Sequence, residues 1–275
     1  MLKTRVITAL ILLAILLPIL YFGYFPAFAM AVLVFFAAGS WECFRLFKSP
    51  RPTLWAAVWT LVFSVILFFS GLPSVRALYV LCVLLWALRF VPALGLGLPR
   101  IEAFGNRLLN GTYMLSILGC FVAIVDLFQH SPLYLLSVMA VVWVADIGAY
   151  FSGKGFGRHK LAPSISPGKS WEGAIGGWLA VLVISAAVAM SMSGGETFQY
   201  HLFNRWGWGG FVGVLSLMVV ASVVGDLFES QLKRRAGMKD SSNLLPGHGG
   251  VLDRIDALIP VLPLAALVDL WLAAA

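Results

Sequence analysis

Most of the residues in this chain that can do chemistry fall in two short stretches. Five of its twelve carboxylates, Asp226, Glu229, Asp240, Asp253 and Asp256, lie between positions 226 and 256. Asp226 and Glu229 stand three apart at the end of one apolar run, and Asp253 and Asp256 stand three apart at the start of the next. A spacing of three puts two side chains on one helix face, so the four carboxylates converge if the two helix ends meet. Lys233, Arg234, Arg235, Lys239 and Arg254 are interleaved with them. Hard oxygen ligands beside cations suit Mg²⁺ carried with a phosphate-bearing substrate. Acids in or beside an apolar span are costly, which favours a functional reason for keeping them. Simple salt bridging within a loop is the competing explanation, above all for Glu229 and Asp240. The run Pro246-Gly247-His248-Gly249-Gly250 reads as a sharp turn able to lie against a ligand.

The other stretch runs from Gly153 to Gly173. It sets Lys154, Arg158, Lys160 and Lys169, with Ser164, Ser166 and Ser170, among glycines. Glycine lets backbone N–H groups approach an oxyanion, and the cations neutralise it. Ser170 stands where it can cap the next helix, whose free N–H groups favour phosphate. The cations alone would describe an ordinary basic loop; the glycines and hydroxyls point to an anion cradle. Gly168-Lys169-Ser170 matches the end of a P-loop, but Pro163 occupies the upstream glycine position, so that fold is rejected.

The elements that position these stretches are membrane spans. Hydrophobic residues make up 61% of 275 positions and charged residues 11%, against about 25% charged in soluble domains. Apolar runs long enough to span fall at about 6–23, 27–44, 55–71, 77–95, 108–127, 132–151, 173–192, 210–227 and 255–273. The expected fold is therefore all-α and polytopic, with about nine transmembrane helices. Pro260 and Pro263 are expected to kink the last one. With the N-terminus in the cytoplasm and the C-terminus outside, seventeen of the nineteen Lys and Arg fall on the cytoplasmic side. Only Arg76 and Arg205 are left outside. We divide the chain into N-terminal helices, 1–130, and a catalytic region, 131–275, with cytoplasmic loops 152–172 and 228–254. Lys3 and Arg5 before an apolar run, with Ala27-Phe28-Ala29 after it, imitate a signal peptide; an uncleaved first helix is the expectation. Cys43, Cys82 and Cys120 sit in apolar runs and read as buried small hydrophobes. Asp146 is placed to face the first loop's cavity, whereas Glu42 is expected to snorkel to the cytoplasmic surface.

The 230–256 run resembles the signature of the phosphatidate cytidylyltransferase family. The matching positions are Ser230, Leu232, Lys233, Arg234, Lys239, Asp240, Ser242, Leu245, Pro246, His248, Gly249, Gly250, Val251, Asp253, Arg254, Ile255 and Asp256. Ser166-Pro167-x-Lys169-Ser170-x-Glu172-Gly173 is similar too, with Ser170 a mild departure where the family often has Thr. The likeness covers the C-terminal half from about Asp146; the earlier helices match in hydropathy only. It implies transfer of a cytidylyl group from CTP to phosphatidic acid, giving CDP-diacylglycerol and pyrophosphate, with Mg²⁺ held by Asp226 and Asp253 and with Asp256 close by. It implies a bacterial inner-membrane enzyme, multi-pass and working at the cytoplasmic face, in a homodimer and with no nucleic acid partner.

On that reading Asp226, Asp253, Lys233, Arg234, His248 and Asp256 are the candidate catalytic residues. Lys154, Arg158, Ser166, Lys169, Ser170, Glu172, Ser230, Lys239, Asp240, Gly249, Gly250 and Arg254 are the candidate substrate-binding ones. Lys169, Lys233 and Arg234 would hold phosphates, and His248-Gly249-Gly250 would wrap the nucleotide. Arg254 would meet the lipid phosphate or Asp256. A CDP-alcohol phosphotransferase would need an Asp-Gly-x₂-Ala-Arg motif, which this sequence lacks. A transporter would place its acids in mid-bilayer and show inverted repeats, and neither is visible.

Overall fold

Only a helix satisfies its own backbone inside a bilayer, and long apolar runs become helices for that reason. A computed structural model describes residues 2–69, 75–191 and 195–274. In chain order its elements are α1 (Leu2–Phe22), α2 (Phe25–Leu46), α3 (Pro52–Phe69), α4 (Val75–Leu85), a π-helical turn (Trp86–Phe90) and α5 (Val91–Leu96). Then come α6 (Phe104–His130), α7 (Pro132–Phe156), strands β1 (Lys160–Ala162) and β2 (Ser166–Ser170), and α8 (Trp171–Ser191). The last are α9 (Phe198–Ala236), α10 (Leu252–Ile255) and α11 (Leu258–Ala274).

Among the described residues six helical stretches are long and apolar enough to cross a membrane: Phe25–Leu46, Val75–Leu96, Phe104–His130, Pro132–Phe156, Trp171–Ser191 and Phe198–Ala236. Three of the expected spans coincide instead with shorter apolar helices, Val6–Phe22, Pro52–Phe68 and Leu258–Ala273. Residues 70, 71 and 192, at the ends of the expected third and seventh spans, lie outside the described residues. Large apolar side chains such as Leu61, Leu88 and Val183 point outward, while Glu42, Glu229 and Ser222 are buried within. The chain is an α-helical membrane protein.

Small residues bring α7 and α8 into close contact. Ala145, Gly148, Ala149 and Ser152 on α7 face Gly173, Gly176, Gly177 and Ala180 on α8, each set recurring every three or four residues. A Cβ on Gly177 would stand 2.5 Å from the Ala145 carbonyl oxygen. Helix α9 is seated by aromatic rings. Phe228 lies 4.8 Å from Phe90 and 5.2 Å from Tyr113, centroid to centroid, and Trp86 and Phe90 both come from the π-helical turn. Gly225 lets α9 touch the chain at the start of α11, since a Cβ there would be 2.5 Å from the Asp256 carbonyl oxygen.

Three expectations need correction, for the two loops and for Glu42. The first loop is not without structure: α7 runs on to Phe156, and an antiparallel β1–β2 hairpin follows, so the fold is helical with one small sheet. Pro163 and Pro167, which cannot continue a helix, favour this extended chain. The second loop is shorter than 228–254, because α9 begins at Phe198, breaks at Gly207 (φ 59°) and continues to Ala236. Gly237, in the left-handed region, then ends α9: its N–H meets the Arg234 carbonyl and the Met238 N–H meets that of Lys233. Pro260 falls in the first turn of α11, where its missing donor costs nothing, and Pro263 lies inside that helix. Glu42 does not snorkel; it is fully buried.

Candidate active site

The close approach of α7 and α8 leaves a cavity of about 400 Å³ between them, α9 and the hairpin. Its polar lining is Asp146 and Lys154 from α7, Lys169 and Ser170 from β2, and Ser222 and Asp226 from α9. Tyr150, Leu161, Val219 and Val223 supply apolar wall. Lys169 Nζ lies 2.6 Å from Asp226 Oδ2. The Ser230 hydroxyl, one turn further on, donates to Asp226 Oδ1 at 3.2 Å. Lys154 Nζ stands 5.9 Å from the centre of the Tyr150 ring. Two cations, Lys154 and Lys169, and two carboxylates, Asp146 and Asp226, thus share one cavity whose walls are largely apolar.

The hairpin is held in place by the start of α8. Ser170 Oγ accepts from the Gly173 N–H at 3.2 Å, an N-cap contact. Gly153, Gly157 and Gly173 all crowd that hydroxyl, and a Cβ on Gly157 would sit 2.8 Å from it. The Glu172 carboxylate accepts from the backbone N–H groups of Arg158 (3.1 Å) and His159 (3.2 Å) and lies 2.6 Å from His159 Nδ1. Glu172 therefore ties down the chain entering β1, while Ser170 and Lys169 reach the cavity. Ser166 pairs with Ala162 across the sheet, and the Arg158 side chain is exposed.

Asp226, Glu229, Ser230 and Lys233 share one face of α9, as a spacing of three, four and seven requires. Lys233 Nζ lies 2.6 Å from Glu229 Oε2 and 2.7 Å from Asp253 Oδ1, joining α9 to α10. Asp253 Oδ2 accepts from the N–H groups of Ser241 and Gly250, each at 2.8 Å, and lies 2.9 Å from Ser241 Oγ. Burial pushes the Asp253 carboxyl up, but the hydrogen bonds from Lys233, Gly250 and Ser241 outweigh it and hold the group below the usual carboxylate range. The Leu245-Pro246-Gly247-His248 turn closes with the His248 N–H on the Leu245 carbonyl (2.8 Å), with Gly247 at φ 77°. Arg254 reaches back over this turn, donating from Nε (3.0 Å) and Nη2 (2.6 Å) to the His248 carbonyl.

The two stretches therefore meet along α9, the hairpin through Asp226 and the second loop through Lys233. The residues expected to handle substrate divide three ways. Lys154, Lys169, Ser170 and Asp226 line the cavity, with Ser230 behind Asp226. Lys233, Asp253, Gly249 and Gly250 are absorbed in the second loop's own bonding, and Asp256 Oδ1 accepts the Ala257 N–H at 2.8 Å. Arg234, Lys239 and Asp240 are exposed. Sequence reasoning missed Glu42 and Ser241, which organise that loop. An acid inside an apolar run was the available signal for Glu42. It missed Ser222 and Gly177 in the cavity wall, which carry no such mark.

Mg²⁺ asks for one or two carboxylates plus phosphate oxygens and water. Asp226 fits: it opens on the cavity beside Asp146, and the Lys169 ammonium already stands against it as a positive charge would. Asp253 fits less well, since three donors surround one oxygen and Lys233 takes the other. No three His, Cys, Asp or Glu side chains among the described residues are placed to share one ion.

Residues 3–271 match the family described as the Cytidylyltransferase family. A phosphatidate cytidylyltransferase of Pseudomonas aeruginosa is 41% identical over 282 residues, covering 99% of this chain and 98% of that protein. One of Haemophilus influenzae is 37% identical over 287 residues, covering 96% of each. One of Brucella suis is 36% identical over 270 residues, covering 94% of this chain and 89% of that protein.

Proposed function

This chain belongs to the cytidylyltransferase family, and we infer from that membership that it transfers the cytidylyl group of CTP to phosphatidic acid. The observation that carries the reading is the Lys169–Asp226 pair inside a cavity walled by α7, α8, α9 and the hairpin. An oxygen of the phosphatidate phosphate bonds to the α-phosphorus of CTP, the bond from that phosphorus to the bridging oxygen breaks, and pyrophosphate leaves. The attacking phosphate has a second pKa of about 6, so it is mostly dianionic at neutral pH and needs no strong base. The barrier is the approach of two polyanions, and positioned cations lower it.

Lys169 and Lys154 are the cations that line the cavity, and the exposed Arg158 and Arg234 extend the positive field toward incoming nucleotide. Asp226 is the residue that would hold Mg²⁺; Asp253, which Lys233, Ser241 and Gly250 already hold, is the second carboxylate that would serve it. Mg²⁺, when bound, neutralises phosphate charge. His248 and Gly249 form the turn that would lie against the nucleotide. The charge distribution supports nine spans with the N-terminus and active site on the cytoplasmic side and the C-terminus outside, and the family resemblance is what supports the bacterial inner membrane and a homodimer.

The test is one assay on purified protein in detergent, with phosphatidate and radiolabelled CTP, with and without Mg²⁺. Label enters lipid with one pyrophosphate released per turnover, needs no added CDP-lipid and stops when Mg²⁺ is chelated. Absence of labelled lipid under any metal condition overturns the assignment.

A further inference from the structure

Glu42 belongs to α2, in the N-terminal part of the chain, and its side chain is completely buried. All its partners come from one distant segment. Oε1 accepts from the Ser242 hydroxyl and from the Val251 N–H at 3.0 Å. Oε2 accepts from the Leu252 N–H at 2.6 Å and lies 3.1 Å from Ser241 Oγ. Ser241 also gives its backbone N–H to Asp253, and Asp253 meets Lys233. An unbroken polar chain therefore runs Glu42–Ser241–Asp253–Lys233–Glu229, from α2 through the loop to α9. Gly250 leaves room for it: a Cβ there would stand 2.5 Å from Glu42 Oε1 and 2.0 Å from Ser241 Oγ.

A buried carboxylate is strongly unfavourable unless its hydrogen bonds are made, and an apolar side chain would hold α2 in the bundle without that cost. The acid does what an apolar residue cannot. It binds two backbone N–H groups and two hydroxyls of a segment that has little regular structure of its own. We propose that Glu42 is a positioning residue for nucleotidyl transfer, clamping residues 241–252 to α2 and thereby placing Asp253 and Lys233. What is positioned rests on the cytidylyl-transfer reading; the clamp itself does not.

The experiment uses the full-length protein in detergent. Glu42→Gln keeps size but turns one acceptor oxygen into a donor that faces other donors. The expected result is a KM for CTP raised about tenfold, the equivalent of one or two hydrogen bonds, and trypsin cleavage after exposed Lys239 accelerated about tenfold as the loop opens locally. A lower kcat at unchanged KM, as loss of folded protein alone would produce, overturns the proposal. So does either change without the other. Ser242→Ala leaves the carboxylate in place and covers the case in which Glu42→Gln does not fold. It should move both readouts in the same direction by about threefold, again one hydrogen bond's worth, and wild-type values for it also overturn the proposal. If the wild-type protein incorporates no CTP, the functional reading falls, while the cleavage rates still decide the clamp.

Discussion

Lys233 of α9 reaches Asp253 of α10 at 2.7 Å while its ammonium also lies 2.6 Å from Glu229. The Lys233 side chain is 12% exposed, that of Asp253 6% and that of Glu229 0%, so little solvent screens the group. Lys233→Met would leave two enclosed carboxylates without their cation. We expect it to destabilise the protein by about 3–5 kcal/mol, read as a lower midpoint of thermal unfolding in detergent. A midpoint equal to wild type would mean that the pair is not formed in the membrane-extracted protein.

Asp226 and Lys169 face the cavity, so their loss should show in turnover rather than in stability. Asp226→Asn and Lys169→Met are each expected to lower kcat/KM by about 10²–10³-fold, the usual cost of removing one preorganised charge contact. Circular dichroism and elution volume should match wild type. Turnover within twofold of wild type in either variant removes that residue from the mechanism.

Gly177 and Gly155 make a matched pair. A Cβ on Gly177 meets the Ala145 carbonyl oxygen at 2.5 Å, and that backbone cannot swing away, whereas Gly155 has nothing within 4 Å. Gly177→Ala should cost about 1–3 kcal/mol by forcing α7 and α8 apart, with a parallel loss of activity because the same helices wall the cavity. Gly155→Ala should leave the unfolding midpoint where it was.

Another polar group ties together α6, α7 and α11. The Tyr134 hydroxyl donates to Asp269 Oδ1 at 2.6 Å, and His130 stacks on the Tyr134 ring. Tyr134→Phe strands the Asp269 oxygen and should cost about 1–3 kcal/mol, with KM for CTP unchanged. A shift in KM would show that this end of the bundle communicates with the site.

Much of this was legible in the residues themselves. The apolar runs announced the helices because a helix is the one structure in which a single segment satisfies its own backbone inside a bilayer. Asp226 is marked by charge at the end of an apolar run, where charge is costly, and Lys169 by the glycines and hydroxyls around it. The hairpin was not visible: β1 has three residues and β2 five, too few to display alternation. The end of α9 was placed too early because Lys233, Arg234 and Arg235 look like loop residues, although a basic last turn complements the helix dipole. Gly237 was the better stop signal.

Composition and spacing by themselves determined the class of protein, the helices and the two stretches that carry its charge. These properties are set locally, by the cost of exposing backbone and burying charge residue by residue. Only the tertiary structure decided which charges face substrate and which face one another. Glu42 and Leu252 are 210 positions apart and 2.6 Å from contact to contact. A carboxylate that binds a ligand and one that fastens a loop have the same chemistry; what separates them is the set of donors that folding brings within about 3 Å.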